Sequence, residues 1–501
     1  MTHPSPEAFP TRVCVQSREC SPGILERLAG SSLFPERPIG AAIVSALHRP
    51  GGSVVCLSAP ALADAEEQVG YYLRLGGATT PHRDDPRPPR SRVTLLSLDD
   101  LSFRWLSQKL LDPDRAEAAA VRAELAALVE AERTAGRGVL LCQFEPSEPL
   151  ERLADSLGIP LDQAPSWTIP MGTKTAGRQL FQRLGIPVAA GTPLVHSLEE
   201  LAAELAGLVR AGHRRFVLKL DSTAYGAGMG NAFFTVDDAR AAADDLPAAI
   251  LAALPEAQVM DPKLGWPGFV AGVPVAGVLA EELLVDDNDN VRSPSVQGRL
   301  GPAGAVIVST HEQVLAANRQ TYTGSAFPAS SEYRARIVEY TERVGAHLLA
   351  EGIDVGDYGV DFIVIDRDGR QHIHGCELNL RATGTRHGFD MVTTLLGVRP
   401  DATGELRVDG SPRVYVASDG ITDPRYVGIR PAALIDAIEH SPLHYDPVRR
   451  EGVVLHLLSA LPEYGKFGAV CVAETTEGAA RMLAELELLA LRVADQAHLP
   501  L

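Results

Sequence analysis

A chain of 501 residues with 45% hydrophobic composition carries enough apolar material for about three packed domains. Its formal charge of -18 argues against nucleic-acid or anionic-membrane partners, both of which want a basic face. The cysteines (Cys14, Cys20, Cys56, Cys142, Cys376, Cys471) lack CxxC spacing, no apolar run is long enough to span a bilayer, and an N-terminus with Pro4, Glu7 and Pro10 lacks a signal layout, so the expectation is a cytoplasmic protein with reduced thiols.

Residues 1–165 alternate strand candidates (53–57, 93–96, 139–142) with helical stretches (39–47, 115–133, 149–157), which implies a parallel α/β domain without catalytic spacing. Residues 79–92, rich in proline and charge, read as an exposed loop. Residues 173–184 have helical period, with Gly185 placed to stop them and Pro187 beyond. The string Gly172-Thr173-Lys174-Thr175 resembles the end of a P-loop, but Trp167 stands where the leading glycine belongs. Lys174 at a helix start can meet phosphate or simply be solvated. Lysine is scarce, with five (Lys109, Lys174, Lys219, Lys263, Lys466) among 46 basic residues, so each retained one hints at a need for a compact ammonium.

A helix over 198–211 and a strand over 215–220 lead into the loop DSTAYGAGMGN, 221–231. Gly226, Gly228 and Gly230 there precede another strand, 232–236, where a dinucleotide fingerprint requires a helix. The loop is therefore either a flap whose amides lie over phosphates, with Lys219 pointing at them, or a plain glycine hairpin. An apolar strand over 275–285 carries Glu281 and Glu282 near its end, where an adenine site needs backbone groups and an acceptor that Glu281 can supply. In 304–313, a strand and loop, His311 either faces a phosphate or caps a turn. An amphipathic helix over 332–351 follows.

Residues 358–389 hold the densest chemistry. Apolar runs 360–365 and 371–378 flank the turn 366–369, whose Asp-Gly pair suits a β-hairpin. Alternation puts Glu377, Asn379 and Arg381 on one face with Asp361 on the facing strand. Two carboxylates, an amide oxygen and a guanidinium make either a hard-cation site of the kind that shares Mg²⁺ with phosphates, or a solvated hairpin. His372, His374 and Cys376 alternate on the opposite face as a rival soft-metal set without an evident fourth ligand. The tail reads as strands 413–417, 452–458 and 470–472 with helices 431–439 and 476–494.

The joint order of Lys174, Lys219 with its glycine flap, Glu281, Asp361 and Glu377-x-Asn379-x-Arg381 resembles the ATP-grasp superfamily over about residues 165–395. The stretches 309–313 (STHEQ) and 383–387 (TGTRH) resemble a smaller branch, the peptide ligases typified by the enzyme of pheganomycin biosynthesis. This resemblance implies a mixed α/β and α+β chain: a pre-ATP-grasp α/β domain at 1–165, a two-lobed ATP-grasp region at 166–397 with a flap lobe at about 190–284, and a small α+β domain at 398–501. It implies ATP bound by Lys174, Lys219, the Gly226, Gly228 and Gly230 flap, Glu281, Glu282, Leu284 and His311. It also implies two Mg²⁺ ions, replaceable by Mn²⁺, on Asp361, Glu377 and Asn379, with Arg381 and Lys219 catalytic and Asp286 or Asp287 at the ribose. The implied activity joins an amino-acid-like or guanidino carboxylate to an amino acid or peptide N-terminus through an acyl phosphate, in specialised peptide or antibiotic biosynthesis. The alternatives are loading of a carrier-protein thiol and a non-catalytic ATP-binding regulatory module.

Overall fold

The structure is a computed structural model describing residues 9–30, 32–49, 51–77, 86–222, 228–286, 288, 290–315 and 322–497. Three sheets organise it. The first is parallel, with strands Thr11–Val15, Ser53–Ser58, Val93–Ser97 and Val139–Gln143; Thr11–Val15, which the sequence analysis did not single out, lies between Ser53–Ser58 and Val139–Gln143. Helices Ile39–Leu47, Ala65–Leu75 and Ala116–Thr134 connect the strands, as parallel pairing requires. The expected loop at 79–92 is described only from 86, and there Arg92 is buried, donating to the carbonyls of Gly52, Ala46 and Arg49.

The second sheet belongs to a small lobe. Arg215–Leu220 pairs with Asn231–Thr235 on one side and Val278–Glu282 on the other, all antiparallel. The strand expected over 275–285 begins later than its apolar run suggests, because Gly265–Ala276 is a helix and Gly277, at φ 76°, ends it. Phe216, Leu218, Phe234, Ile250 and Phe269 form this lobe's own core with Leu201 and Leu205 of helix Leu198–Arg210.

The third sheet is central. Hairpin Gly356–Arg367/Arg370–Asn379 turns at Asp368 and Gly369, both at positive φ as a two-residue primed turn demands. Gly356–Arg367 also pairs with Pro294–Gly301, which is followed across the sheet by Gly304–Leu315 and Tyr322–Phe327. Tail strand Ser411–Thr422 then pairs with Tyr322–Phe327, and Lys466–Ala473 and Gly452–His456 complete the sheet, so the tail is built onto the same ladder. One core joins Ile43, Val44 and Tyr72 of the first domain to Leu434, Ile435, Val454 and Leu455 of the tail. Among the described residues no helix is long and apolar enough to cross a membrane.

Candidate active site

A cavity of about 750 Å³ opens where the three sheets face one another. Its apolar slot is made by Ala189, Val217 and Leu284 on one side and Val291 and Ile363 on the other. Lys174 enters at the first turn of helix Lys174–Arg183, which Thr173 caps by accepting from the Ala176 amide. No hydrogen bond or ion pair fixes its ammonium among the described residues, and burial holds its pKa below the ordinary value.

Lys219 projects from Arg215–Leu220 and donates to Glu281 Oε2 at 2.5 Å; Arg178, one helical turn after Lys174, donates to Glu281 Oε1 at 3.0 Å. Burial opposes charge on both Lys219 and Glu281, but their mutual attraction outweighs it, keeping the ammonium's pKa raised and the carboxyl's lowered. The Glu281 carboxylate, expected to accept from adenine, is thus engaged by two cations and orients Lys219. Glu282 and Leu284 line the slot, and Glu282 is paired with Arg367 (3.2 Å) and His213 (3.3 Å). Of the flap, Gly228 lines the cavity; Gly226 lies outside the described residues, as does Asp287. Asp286 closes its own turn through the amides of Asn288 and Asn290 and does not line the cavity.

Asp361 and Glu377 are cross-strand partners on the central hairpin, and a bulge follows at once: Phe362 pairs with Gly375, leaving Cys376 as the extra residue. Asp361 accepts from Asn379 Nδ2 at 3.0 Å and Gln313 Nε2 at 2.8 Å. Burial first, and then Glu377, push its carboxyl up to about 6. This is a donor set short of positive charge. Asn379 spends its amide nitrogen on Asp361 and keeps its carbonyl oxygen for another partner, so the residues fit a hard cation. Arg381 lies over the Phe144 ring (5.4 Å) and 3.9 Å from Glu145, itself bound by Arg18.

The bulge also changes the rival metal reading, since it brings Cys376 into the same cavity as Glu377 and away from His372 and His374. Burial pushes the Cys376 thiol up to about 11, the wrong direction for a thiolate ligand. Two further expected site residues do not line the cavity, Gly230, whose carbonyl accepts from the Leu220 amide at 3.0 Å, and His311. His311 is fully buried among Phe327, Phe389 and Tyr415, and its Nε2 lies 2.7 Å from the Tyr415 hydroxyl. Alternation puts His311 on the same face as Gln313, but two residues along the strand that face is covered by Phe389 of helix Arg386–Leu396, which closes His311 into the core. The residues sequence reasoning missed are Arg178, Gln313 and a group on the far wall, Arg37, Asp419 and Lys466. Arg178 carried a signal, its i,i+4 spacing from Lys174; on the far wall the scarcity of lysine pointed to Lys466, whereas Arg37 and Asp419, 382 positions apart, carried none.

Residues 433–486 match the model of the PGM1 C-terminal domain. The chain is similar to the L-propargylglycine--L-glutamate ligase of Streptantibioticus cattleyicolor, 29% identical over 86% of this chain and 84% of that protein. Among solved structures it resembles the biotin carboxylase of Campylobacter jejuni in its β,γ-ATP complex (13% identity, TM-score 0.52, 97% of this chain and 95% of that one). It also resembles the biotin carboxylase domain of Hydrogenobacter thermophilus 2-oxoglutarate carboxylase, solved with MgADP, ADP and bicarbonate (12% identity, TM-score 0.53, 95% and 89%). The chain has the ATP-grasp fold of these structures, and within it residues 433–486 match the PGM1 C-terminal domain.

Proposed function

We propose that the protein is an ATP-dependent carbon-nitrogen ligase that forms an amide through an acyl phosphate. The observation that carries this is one continuous cavity with an apolar slot and two lysines at one end, Asp361, Glu377, Asn379 and Arg381 in the middle, and a separate polar wall beyond them. Its volume leaves room for a nucleotide and a second small molecule. The likeness to a ligase named for two amino acids supports amino-acid substrates. We place the activity in specialised peptide biosynthesis and in the cytoplasm, where the free cysteines would stay reduced.

Lys174 and Lys219 bind the nucleotide phosphates, and the flap around Gly228 closes over them to keep out water, which would hydrolyse an acyl phosphate. Asp361, Glu377 and Asn379 would hold Mg²⁺, two ions in our reading and replaceable by Mn²⁺, and the metal would supply positive charge to the nucleotide phosphates. A substrate carboxylate oxygen attacks the γ-phosphorus as the bond to ADP breaks, while Lys219 and Arg381 offset charge on the phosphoryl oxygens. An amine nitrogen then attacks the acyl carbon, the carbon-oxygen bond to phosphate breaks, and the nitrogen gives up a proton.

The test is ADP and phosphate release with Mg-ATP across amino acids and guanidino acids, each with and without a second amino acid or short peptide, products read by mass. We expect release that needs both partners and a product lighter than their sum by one water. ADP release with no amide product, or none with any pair despite ATP binding, would refute the reading.

A further inference from the structure

Of the five lysines, Lys109 is buried beside Asp100, Lys263 lies 3.3 Å from Glu26 at the surface, and Lys174 and Lys219 serve the nucleotide end. Lys466 remains. It sits at the start of Lys466–Ala473 opposite Thr422, both line the far wall of the cavity, and among the described residues its ammonium makes no hydrogen bond or ion pair. Burial lowers its pKa against the attraction of Asp419.

Next to it the ladder breaks. Ser418 pairs with Ala469 and Ile421 with Phe467, so Asp419 and Gly420 bulge opposite Gly468, and both bulged residues line the cavity. Gly468 is required there, since a Cβ would lie 2.1 Å from His456 Cε1. Asp419 is held by an ion pair with Arg37, with His387 Nε2 lying 3.3 Å and His456 Nε2 3.7 Å away. Arg37 is itself wedged between the Phe34 and Tyr322 rings, 6.0 Å from each centroid, and donates to the Gly384 carbonyl at 2.9 Å. The first domain, the central sheet and the tail thus meet at one carboxylate. His387, Asp419 and His456 bring ligand atoms within 4.8 Å of one another, but a divalent ion there would sit against Arg37 and Lys466.

We propose that this wall is the acceptor subsite and that the acceptor is a zwitterionic α-amino acid, its ammonium resting on Asp419 and its carboxylate received by Lys466. The inference rests on the ligase reading and adds to it which substrate the tail recognises and by which groups. The two charges of an α-amino acid are fixed beside each other, as are Asp419 and Lys466. An amine lacking the carboxylate would leave the half-buried Lys466 without that partner, and sites built around such a group discriminate strongly.

The test compares each amino acid with its own carboxamide as acceptor, using wild-type enzyme and Mg-ATP, with amide product read by mass and hydroxylamine trapping of the activated donor run in parallel. Wild type should prefer the free acid by about 100-fold or more in kcat/KM. Lys466→Met should erase the preference by raising KM for the acid, and Lys466→Arg should restore part of it. Equal use of acid and carboxamide by wild type, or undiminished discrimination in folded Lys466→Met, with hydroxamate still forming, would overturn the acceptor assignment and leave the ligase reading standing. No hydroxamate with any donor would instead overturn the ligase reading and this inference with it.

Discussion

Glu281→Gln isolates the charge that aligns the nucleotide end. Wild-type Glu281 sits 2.5 Å from Lys219 Nζ and 3.0 Å from Arg178, and all three side chains are nearly buried. At an effective dielectric of about 20, each contact is worth roughly 6 kcal/mol of attraction, before the several kcal/mol it costs to bury the ions is subtracted. Removing the carboxylate leaves two buried cations with only an amide oxygen between them, and breaking a buried pair in this way costs about 3–5 kcal/mol. Because Phe216, Leu218 and Phe234 pack within the flap lobe's own core, the loss should appear as an early unfolding transition of that lobe. Nucleotide phosphates can replace the lost counter-charge, so saturating ATP should recover more stability in the variant than in wild type. Lys219→Met should cost less, because Glu281 keeps Arg178. Urea unfolding followed by native-state hydrogen exchange, with and without ATP, measures each quantity. A Glu281→Gln protein as stable as wild type without ligand, or one that gains no more from ATP, would refute the argument.

Glu377→Gln should lower ADP release by at least about 10²-fold, the scale of losing a charge-stabilising group, while unfolding stays within about 0.5 kcal/mol of wild type; retained turnover would remove Glu377 from the metal set. His311→Phe should destabilise by about 1–3 kcal/mol by orphaning the buried Tyr415 hydroxyl, with KM for ATP unchanged; a raised KM in a stable protein would return His311 to the nucleotide. Glu36 is buried, accepts the Ser459 amide at 2.7 and 3.0 Å, and has a pKa pushed up to about 8 by burial despite those bonds. Because that value lies above the unfolded one, the unfolded chain holds fewer protons between about pH 4.5 and 8, so Glu36 makes stability fall as pH rises through that window, by up to about 5 kcal/mol. Glu36→Gln should flatten this slope in pH-dependent unfolding, and an unchanged slope would count against the assignment.

What could be read from the sequence was what short-range periodicity encodes. The hairpin around Asp368-Gly369, the helix that carries Lys174 and the strand that carries Lys219 all announce themselves through alternation, helical period and turn residues. So did the placement of Asp361, Glu377 and Asn379 on one cavity wall. The failures have distinct causes. The apolar run 275–285 opens on the last two residues of a helix because Gly277, not hydrophobicity, sets the boundary. His311 sits in a stretch full of polar residues and on the face of Gln313, yet Phe327, Phe389 and Tyr415, distant in sequence, cover it and make it core. Cys376 was assigned to the outer face by strict alternation, and one extra residue in the ladder moved it.

The two bulges that line the cavity suggest how this sheet came to carry chemistry. A regular strand presents every second side chain to one face, so a cavity wall built from it can place charged groups only at fixed intervals. The bulge at Cys376 sets Glu377 directly across from Asp361, tightening the carboxylate pair until it is short of positive charge. The bulge at Asp419–Gly420 sets a second carboxylate against two imidazoles and an arginine from another domain. Between them stands Tyr322, within electrostatic reach of both Asp419 and Asp361, its phenol raised by burial first and by those carboxylates in addition. One continuous ladder therefore fixes the spacing of both clusters. The flap lobe, by contrast, keeps a separate sheet and core of its own, so its side of the cavity is set independently of that ladder.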